Sequence, residues 1–167
     1  VGLPNDKIIY ITENKENNTF INLIDLKKLK HDNDFKECSL KVQEKENILK
    51  IIKMEILYDY VLICYNSRID IFNYKNNIIT KSLNYFDFEL TNLTILSSNR
   101  IILGLYDSEK KESIIREHLL RIEDLQNSKN KFDCLGEGKI KEKKIIDFIK
   151  INESQILINK DNESFFI

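Results

Sequence analysis

A hairpin frame that recurs four times constrains this sequence most. Leu3 to Ile8, Ile56 to Val61, Leu96 to Ile101 and Ile151 to Ile156 align without gaps. Each holds an apolar residue, four mostly turn-forming residues, and an apolar residue five positions on. Each then runs into a β-rich stretch: Ile8 to Ile11, Val61 to Cys64, Ile101 to Gly104 and Ile156 to Asn159. Asn, Asp and Ser suit such bends because their side chains hydrogen-bond neighbouring backbone. Short apolar runs bounded by turns read as buried strands. The chain thus carries four copies of one hairpin.

A second mark follows the first three hairpins. Ile21 to Leu26, Ile69 to Tyr74 and Leu120 to Leu125 share an alternating apolar pattern closed by Asp25, Asn73 and Asp124. The fourth copy, Ser164 to Ile167, stops before its mark. Apolar stretches at Ile48 to Ile56, Leu90 to Leu96 and Ile145 to Ile151 read as strands entering the later hairpins. Cys38 to Val42, Ile78 to Leu83 and Phe132 to Leu135 are shorter strand candidates between repeats. Ser113 to Asn127 also fits an amphipathic helix, with Ile115, Leu119 and Ile122 on one face and Ser113 as cap. Alignment of Asp124 with the other marks favours a strand.

Four short strands recurring about every 40–55 residues is the arithmetic of a propeller blade. A β-sandwich suits the strand number as well, but has no reason to repeat its turns. The pattern resembles WD40 repeats, whose third strand ends in Trp-Asp; Ile24-Asp25, Phe72-Asn73 and Glu123-Asp124 stand at the matching place. The chain has no Trp, and no Gly-His pair opens a repeat. The family's His–Ser–Trp–Asp network therefore does not carry over, and the frame is WD40-like. The expected fold is all-β, a partial ring of about four blades from a larger propeller. Its units run roughly over residues 1–43, 44–84, 85–138 and 139–167. The strand order reads as the end of a first strand, three more, two full blades, then three strands. The first residues, Val1-Gly2-Leu3, lack a Met, and the rest of the ring is expected elsewhere in a parent chain or from a partner.

Charge narrows the partner. With 26 basic and 27 acidic side chains the net charge is −1, which supplies no general attraction to nucleic acid or anionic membrane. No apolar run approaches the roughly 20 residues of a membrane span. Other proteins of a multi-subunit assembly are the expected partners; RNA contact would require the lysines to share one face. Lys139 to Lys144 is lysine-rich, but Glu137 and Glu142 dilute it, and it reads as a solvated connection. Three scattered cysteines, Cys38, Cys64 and Cys134, fit a reducing compartment, cytoplasmic or nuclear.

Chemistry-bearing patterns are few. His31 to Asp34 begins like a calcium loop, but Glu37 and Gln43 occupy the positions that need Gly and a bidentate Glu. Leu135 to Lys139 lacks the spacing of a phosphate loop and reads as a loop between blades. Cys64 sits among apolar neighbours as core, and no histidine is marked as its base. Of four N-x-Ser/Thr sequons, at Asn17, Asn92, Asn152 and Asn162, Asn92 falls inside a strand. No metal or cofactor is expected, and no catalysis.

Tyr85, Phe86 and Asp87 form the candidate partner-binding site, within the stretch Asn84 to Phe88. They lie between the outer strand of one blade and the inner strand of the next. The family resemblance implies that this connection is on a partner-binding face, and aromatic anchors dominate interface energetics. The alternative is that Phe86 and Phe88 cap the core between blades. The functional reading is a non-catalytic scaffold. The alternatives are a propeller domain of an enzyme whose active site lies outside this segment, or an RNA-contacting ribonucleoprotein component.

Overall fold

The computed structural model describes residues 1–4, 6–13, 19–29, 38–41, 50–121, 123, 125, 132–141, 144–160 and 163–166. They form four antiparallel sheets, each with strands in sequence order. The first comprises β1 (Gly2–Leu3), β2 (Lys7–Glu13), β3 (Thr19–Asp25) and β4 (Cys38–Lys41), with a single helical turn, α1 (Leu26–Leu29), after β3. The second comprises β5 (Ile51–Leu57), β6 (Tyr60–Tyr65), β7 (Arg68–Asn73) and β8 (Ile78–Asn84). The third comprises β9 (Glu89–Ser97), β10 (Arg100–Asp107), β11 (Glu112–Leu119) and β12 (Asp133–Lys141). The fourth has three strands, β13 (Ile145–Asn152), β14 (Gln155–Lys160) and β15 (Glu163–Phe166). This is the blade order that the hairpin frames imply.

Three of the four frames bend as equivalent hairpins; in the first, Leu3 pairs with Lys7 across one residue more. Leu57 pairs with Tyr60, Ser97 with Arg100 and Asn152 with Gln155, each across two turn residues. A conserved geometry joins the third strand to each of the first three bends. The Leu26, Tyr74 and Leu120 N–H groups donate to the carbonyls of Asp6 (2.8 Å), Asp59 (3.3 Å) and Asn99 (2.7 Å). The Asp/Asn mark has a local cause. Asp25 Oδ1 accepts from the Lys27 N–H at 3.1 Å, and Asn73 Oδ1 accepts from Lys75 and Asn76 at 3.0 and 3.1 Å. Each side chain caps the turn that leaves its strand.

The third copy of the mark is misplaced by sequence alone. Arg100 is already paired with Leu119, so β10 has no partner left for residues beyond it, and the chain departs at Leu120. The equivalent of Asn73 is therefore Leu119, and the strand reading of Ser113 to Asn127 holds only as far as Leu119. Asp124 lies outside the described residues. A second correction concerns Leu135 to Lys139, which is strand rather than loop. β12 pairs with β11 from Leu119–Asp133 to Glu112–Lys141, past the unit limit expected at residue 138. Its residues through Lys139 are exposed, so only its start, within the candidate Phe132 to Leu135, is announced by the sequence.

The core lies between sheets. Ile9 and Ile21 meet Val61, Ile63, Tyr65 and Phe72 across the first interface. Leu62, Cys64, Ile69 and Ile71 meet Leu93, Ile101, Leu103 and Leu105 across the second. Leu96, Ile102 and Ile115 meet Phe148, Ile156 and Ile158 across the third. β6 is buried along its whole length, odd positions facing the first sheet and Leu62 and Cys64 the third. A strand covered on both faces loses polar alternation and reads as a continuous apolar run. The first strands β5, β9 and β13 lie side by side and form the inner wall.

Gly104 illustrates how close the third interface is. A Cβ there would lie 2.7 Å from Thr91 Oγ1 and 3.1 Å from Phe148 Cζ. Gly104→Ala is expected to destabilise the fold by about 1–3 kcal/mol through overpacking. Urea denaturation measures this; an unchanged midpoint would mean the two sheets slide apart freely. His118 in β11 gives a second test. Its Nδ1 lies 3.3 Å from the Phe132 carbonyl, and its buried Nε2 has no hydrogen-bond partner among the described residues. Burial holds the imidazole below its ordinary value, opposed by the Phe132 carbonyl and aided by the Arg116 charge. The unfolded chain then binds the proton more readily, so stability is full above about pH 6.5 and declines as pH falls below it. Denaturation midpoints between about pH 8 and pH 5 should show this slope, and His118→Leu should flatten it.

Candidate functional site

The connection from β8 to β9 is held at both ends. The Tyr85 N–H donates to the Ser67 carbonyl at 2.8 Å, and the Leu90 N–H to the Asn66 carbonyl at 2.7 Å. The Asn66 N–H in turn donates to the Lys50 carbonyl at 3.0 Å, while Asn66 Oδ1 accepts from the Lys50 N–H at 3.2 Å. The β6–β7 bend thereby ties the strand entering the second sheet to the connection leaving it. Between those ties, the Phe88 N–H returns to the Tyr85 carbonyl at 3.4 Å, closing a turn with Phe86 and Asp87 at its tip.

This geometry separates the three candidate residues. Tyr85 and Phe88 pack on the core between the second and third sheets. Burial pushes the Tyr85 phenol well above its ordinary value, with the neighbouring Cys64 adding to the rise. Arg116 stacks 4.9 Å from the centre of the Phe88 ring and also donates to Glu137 at 2.7 Å, which holds that carboxyl below the usual range. Phe86 points away from all of this and is 87% exposed. Asp87 beside it is exposed too. Phe86 does not cap the core; Phe88 does.

Phe86 stands at one end of a cleft of about 930 Å³. One wall is Leu40 and Lys41 of β4, the other Ile78 and Ile79 of β8. Arg68, Asp70 and Ser82 also line it. Asp70 is fully buried and forms a fork with Arg68, Nε to Oδ1 at 2.9 Å and Nη2 to Oδ2 at 3.0 Å. Ser82 Oγ donates to Oδ1 at 2.6 Å. Burial lifts the Asp70 carboxyl above its ordinary value, and Ser82 and Arg68 act against that rise. An isolated buried carboxylate would be prohibitive, so the fork lets a charge sit there. The Arg68 guanidinium also lies 5.3 Å from the Tyr65 ring centre. The Ser82 bond ties β8 to β7, and the Arg68–Asp70 pair leaves that part of the cleft with little net charge.

The sequence carried a signal for this pair that the repeat frame obscured. Arg68 and Asp70 are two apart in a strand and so share a face, a pair of opposite charges within an otherwise apolar segment. Chemically the arrangement offers aromatic surface and hydrogen-bonding groups. Ser82's hydroxyl is committed to Asp70, and among the described residues no imidazole lines the cleft. Cys64 is buried, and its thiol is pushed up to about 12, largely by that burial. Asn92 is buried and donates to Asp147 at 2.9 Å, which closes its sequon to a glycan. Lys139 pairs with Glu137 at 3.7 Å and Lys144 with Glu89 at 2.6 Å. The calcium-loop-like segment His31 to Asp34 and the sequons at Asn17 and Asn162 lie outside the described residues.

No protein-family model matches this chain, and no curated protein matches it. Among solved structures, it is similar to one described as the crystal structure of the C-terminal WD40 domain of Sif2. The TM-score is 0.56 at 11% sequence identity, over 93% of this chain and 44% of that one. The chain thus spans less than half the length of its structural neighbour. At such identity the likeness concerns the fold. In fold, the four antiparallel sheets resemble blades of that WD40 domain, and together they make a partial all-β propeller.

Proposed function

We propose that this chain is a non-catalytic interaction platform within a larger assembly, holding a partner protein at the face where Phe86 projects. The observation that carries this reading is the contrast along one turn. Tyr85 and Phe88 are packed into the core, and Phe86 between them is 87% exposed. A large apolar side chain exposed on a turn whose backbone is tied at both ends suits an interface anchor, because less backbone ordering remains to be lost on binding. WD40-like architecture supports the same reading, since such propellers generally mediate protein–protein contact.

The outer face of the fourth sheet fits membership in a larger ring. Ile149 and Ile151 on the fourth sheet are 45% and 50% exposed, and stacked repeats leave terminal faces uncovered until a neighbour arrives. Further blades, from the same polypeptide or a partner, would cover them. An exposed free thiol at Cys134 accords with a reducing compartment, cytoplasm or nucleus. The lysines near residue 140 do not favour RNA, because Lys139 and Lys144 are already paired with carboxylates.

Two substitutions separate display from packing. Tyr85→Ala should cost about 2–4 kcal/mol of stability by leaving a cavity. Phe86→Ala should change stability by no more than about 0.5 kcal/mol. Thermal melting measures both. In affinity purification from cells, Phe86→Asp in the full-length protein should deplete the captured partners at least about tenfold. Retention of every partner by that variant would overturn the reading.

A further inference from the structure

We infer that Phe86 and Asp87 together bind a guanidinium group, so that the segment a partner places on this turn carries an arginine. The inference rests on the interaction reading above and names the chemistry of the group that is held. This chain holds three of its own cations in the same way. Arg68 lies 5.3 Å from the centre of the Tyr65 ring and pairs with Asp70 at 2.9 Å. Arg116 lies 4.9 Å from the centre of the Phe88 ring and pairs with Glu137 at 2.7 Å. Lys144 lies 5.7 Å from the centre of the Tyr106 ring and pairs with Glu89 at 2.6 Å. In each case a ring attracts the charge through its quadrupole while a carboxylate fixes where the donors point.

Phe86 and Asp87 are a fourth ring and carboxylate, and they lack the cation. Among the described residues none lies over the Phe86 ring, and none pairs with Asp87. The two are the central residues of the turn closed by the Phe88 N–H and the Tyr85 carbonyl, and both keep negative φ, as in a type I turn. Both are exposed, Phe86 to 87%. Their Cα atoms stand about 3.8 Å apart, close enough for one guanidinium to reach both groups. The bonds at Tyr85 and Leu90 hold the backbone between them in place.

Arginine suits this site better than lysine. A guanidinium is weakly hydrated, stacks flat on a ring and presents paired donors to a carboxylate, whereas an ammonium on a solvent-facing turn keeps its water. Lys144 manages the same arrangement because the chain itself supplies its proximity to Glu89 and Tyr106. A partner's cation has no such tether.

A displayed library of random 12-residue peptides, selected on this chain and depleted on its Phe86→Asp variant, tests the inference. The selected peptides should share an arginine. In one of them, replacing that arginine by citrulline, which keeps the shape and removes the charge, should weaken binding at least about fivefold. Replacing it by lysine should cost at least about threefold. Asp87→Asn in this chain should weaken the original peptide at least about fivefold with unchanged melting temperature, and should cost the citrulline peptide little, because both changes remove one contact. Phe86→Leu, which stays apolar but loses the ring face, should cost at least about threefold. No selected peptide, selected peptides without arginine, indifference to Phe86→Leu, or additive losses from Asp87→Asn and citrulline would each overturn the inference. Should Phe86→Asp deplete the partners captured from cells while Asp87→Asn and Phe86→Leu capture them all, the platform reading survives and guanidinium recognition fails. Should the peptide couplings hold while Phe86→Asp retains every partner, guanidinium recognition stands and the platform reading fails.

Discussion

Face-to-face burial between neighbouring sheets is the constraint from which the rest of this structure follows. A small antiparallel sheet has two faces and no interior, so its apolar side chains find cover only on another sheet. Here the second sheet sends Val61, Ile63 and Tyr65 to one neighbour and Leu62 and Cys64 to the other. Removing either neighbour would expose half of a strand whose six residues are all buried. Burying an Ile or Leu side chain is worth about 1.5–3 kcal/mol. Stability is thereby shared among interfaces, and no single sheet is a folding unit.

Packing alone would allow the sheets to slide, and polar contacts on the inner strands oppose this. Lys53 of β5 donates to the Phe148 carbonyl at 3.4 Å and lies 3.9 Å from Asp147, both on β13. Asn92 of β9, between those strands, donates to the same Asp147 carboxylate at 2.9 Å. Three consecutive sheets are thus linked through one side chain on the inner wall. Directional bonds of this kind define register where apolar contact is tolerant of small shifts. The Ile145 N–H, donating to Ser113 Oγ at 3.2 Å, adds a link between the third and fourth sheets farther out.

The parts of the fold legible in the sequence are those where backbone geometry dictates residue type. Hairpin bends demand Asn, Asp or Ser between apolar flanks, so Leu96 to Ile101 and Ile151 to Ile156 align as bends. Left-handed turn positions were less visible, because a chain with four glycines fills them with Asp6, Tyr58, Asn77 and Lys111. The third Asp/Asn mark failed because Asp124 offered a better match to the pattern than Leu119, although the ladder with β10 ends at Leu119. Beyond the start legible in Phe132 to Leu135, the exposed outer strand β12 carries no burial signal, and its pairing with β11 sets its conformation. At the site, the aromatic cluster was legible as composition, but which ring faces solvent depends on the bonds from Ser67 and Asn66, distant in pattern from Phe86.

Those bonds are what convert a stable stack into a display surface. The β6–β7 bend is part of a strand pair buried on both sides, and it grips Lys50, Tyr85 and Leu90 through backbone hydrogen bonds. Tyr85 and Phe88 then act as two feet in the core, and the residues between them have one direction left to point. Rigidity in the connection is thus inherited from interfaces formed by Leu62, Cys64 and Leu93, remote from any partner. It follows that the exposed ring and the core that orients it are separable in sequence but coupled in energy. A change that loosens the packing between the second and third sheets would disorder Phe86 without touching it, whereas a change at Phe86 leaves that packing as it was.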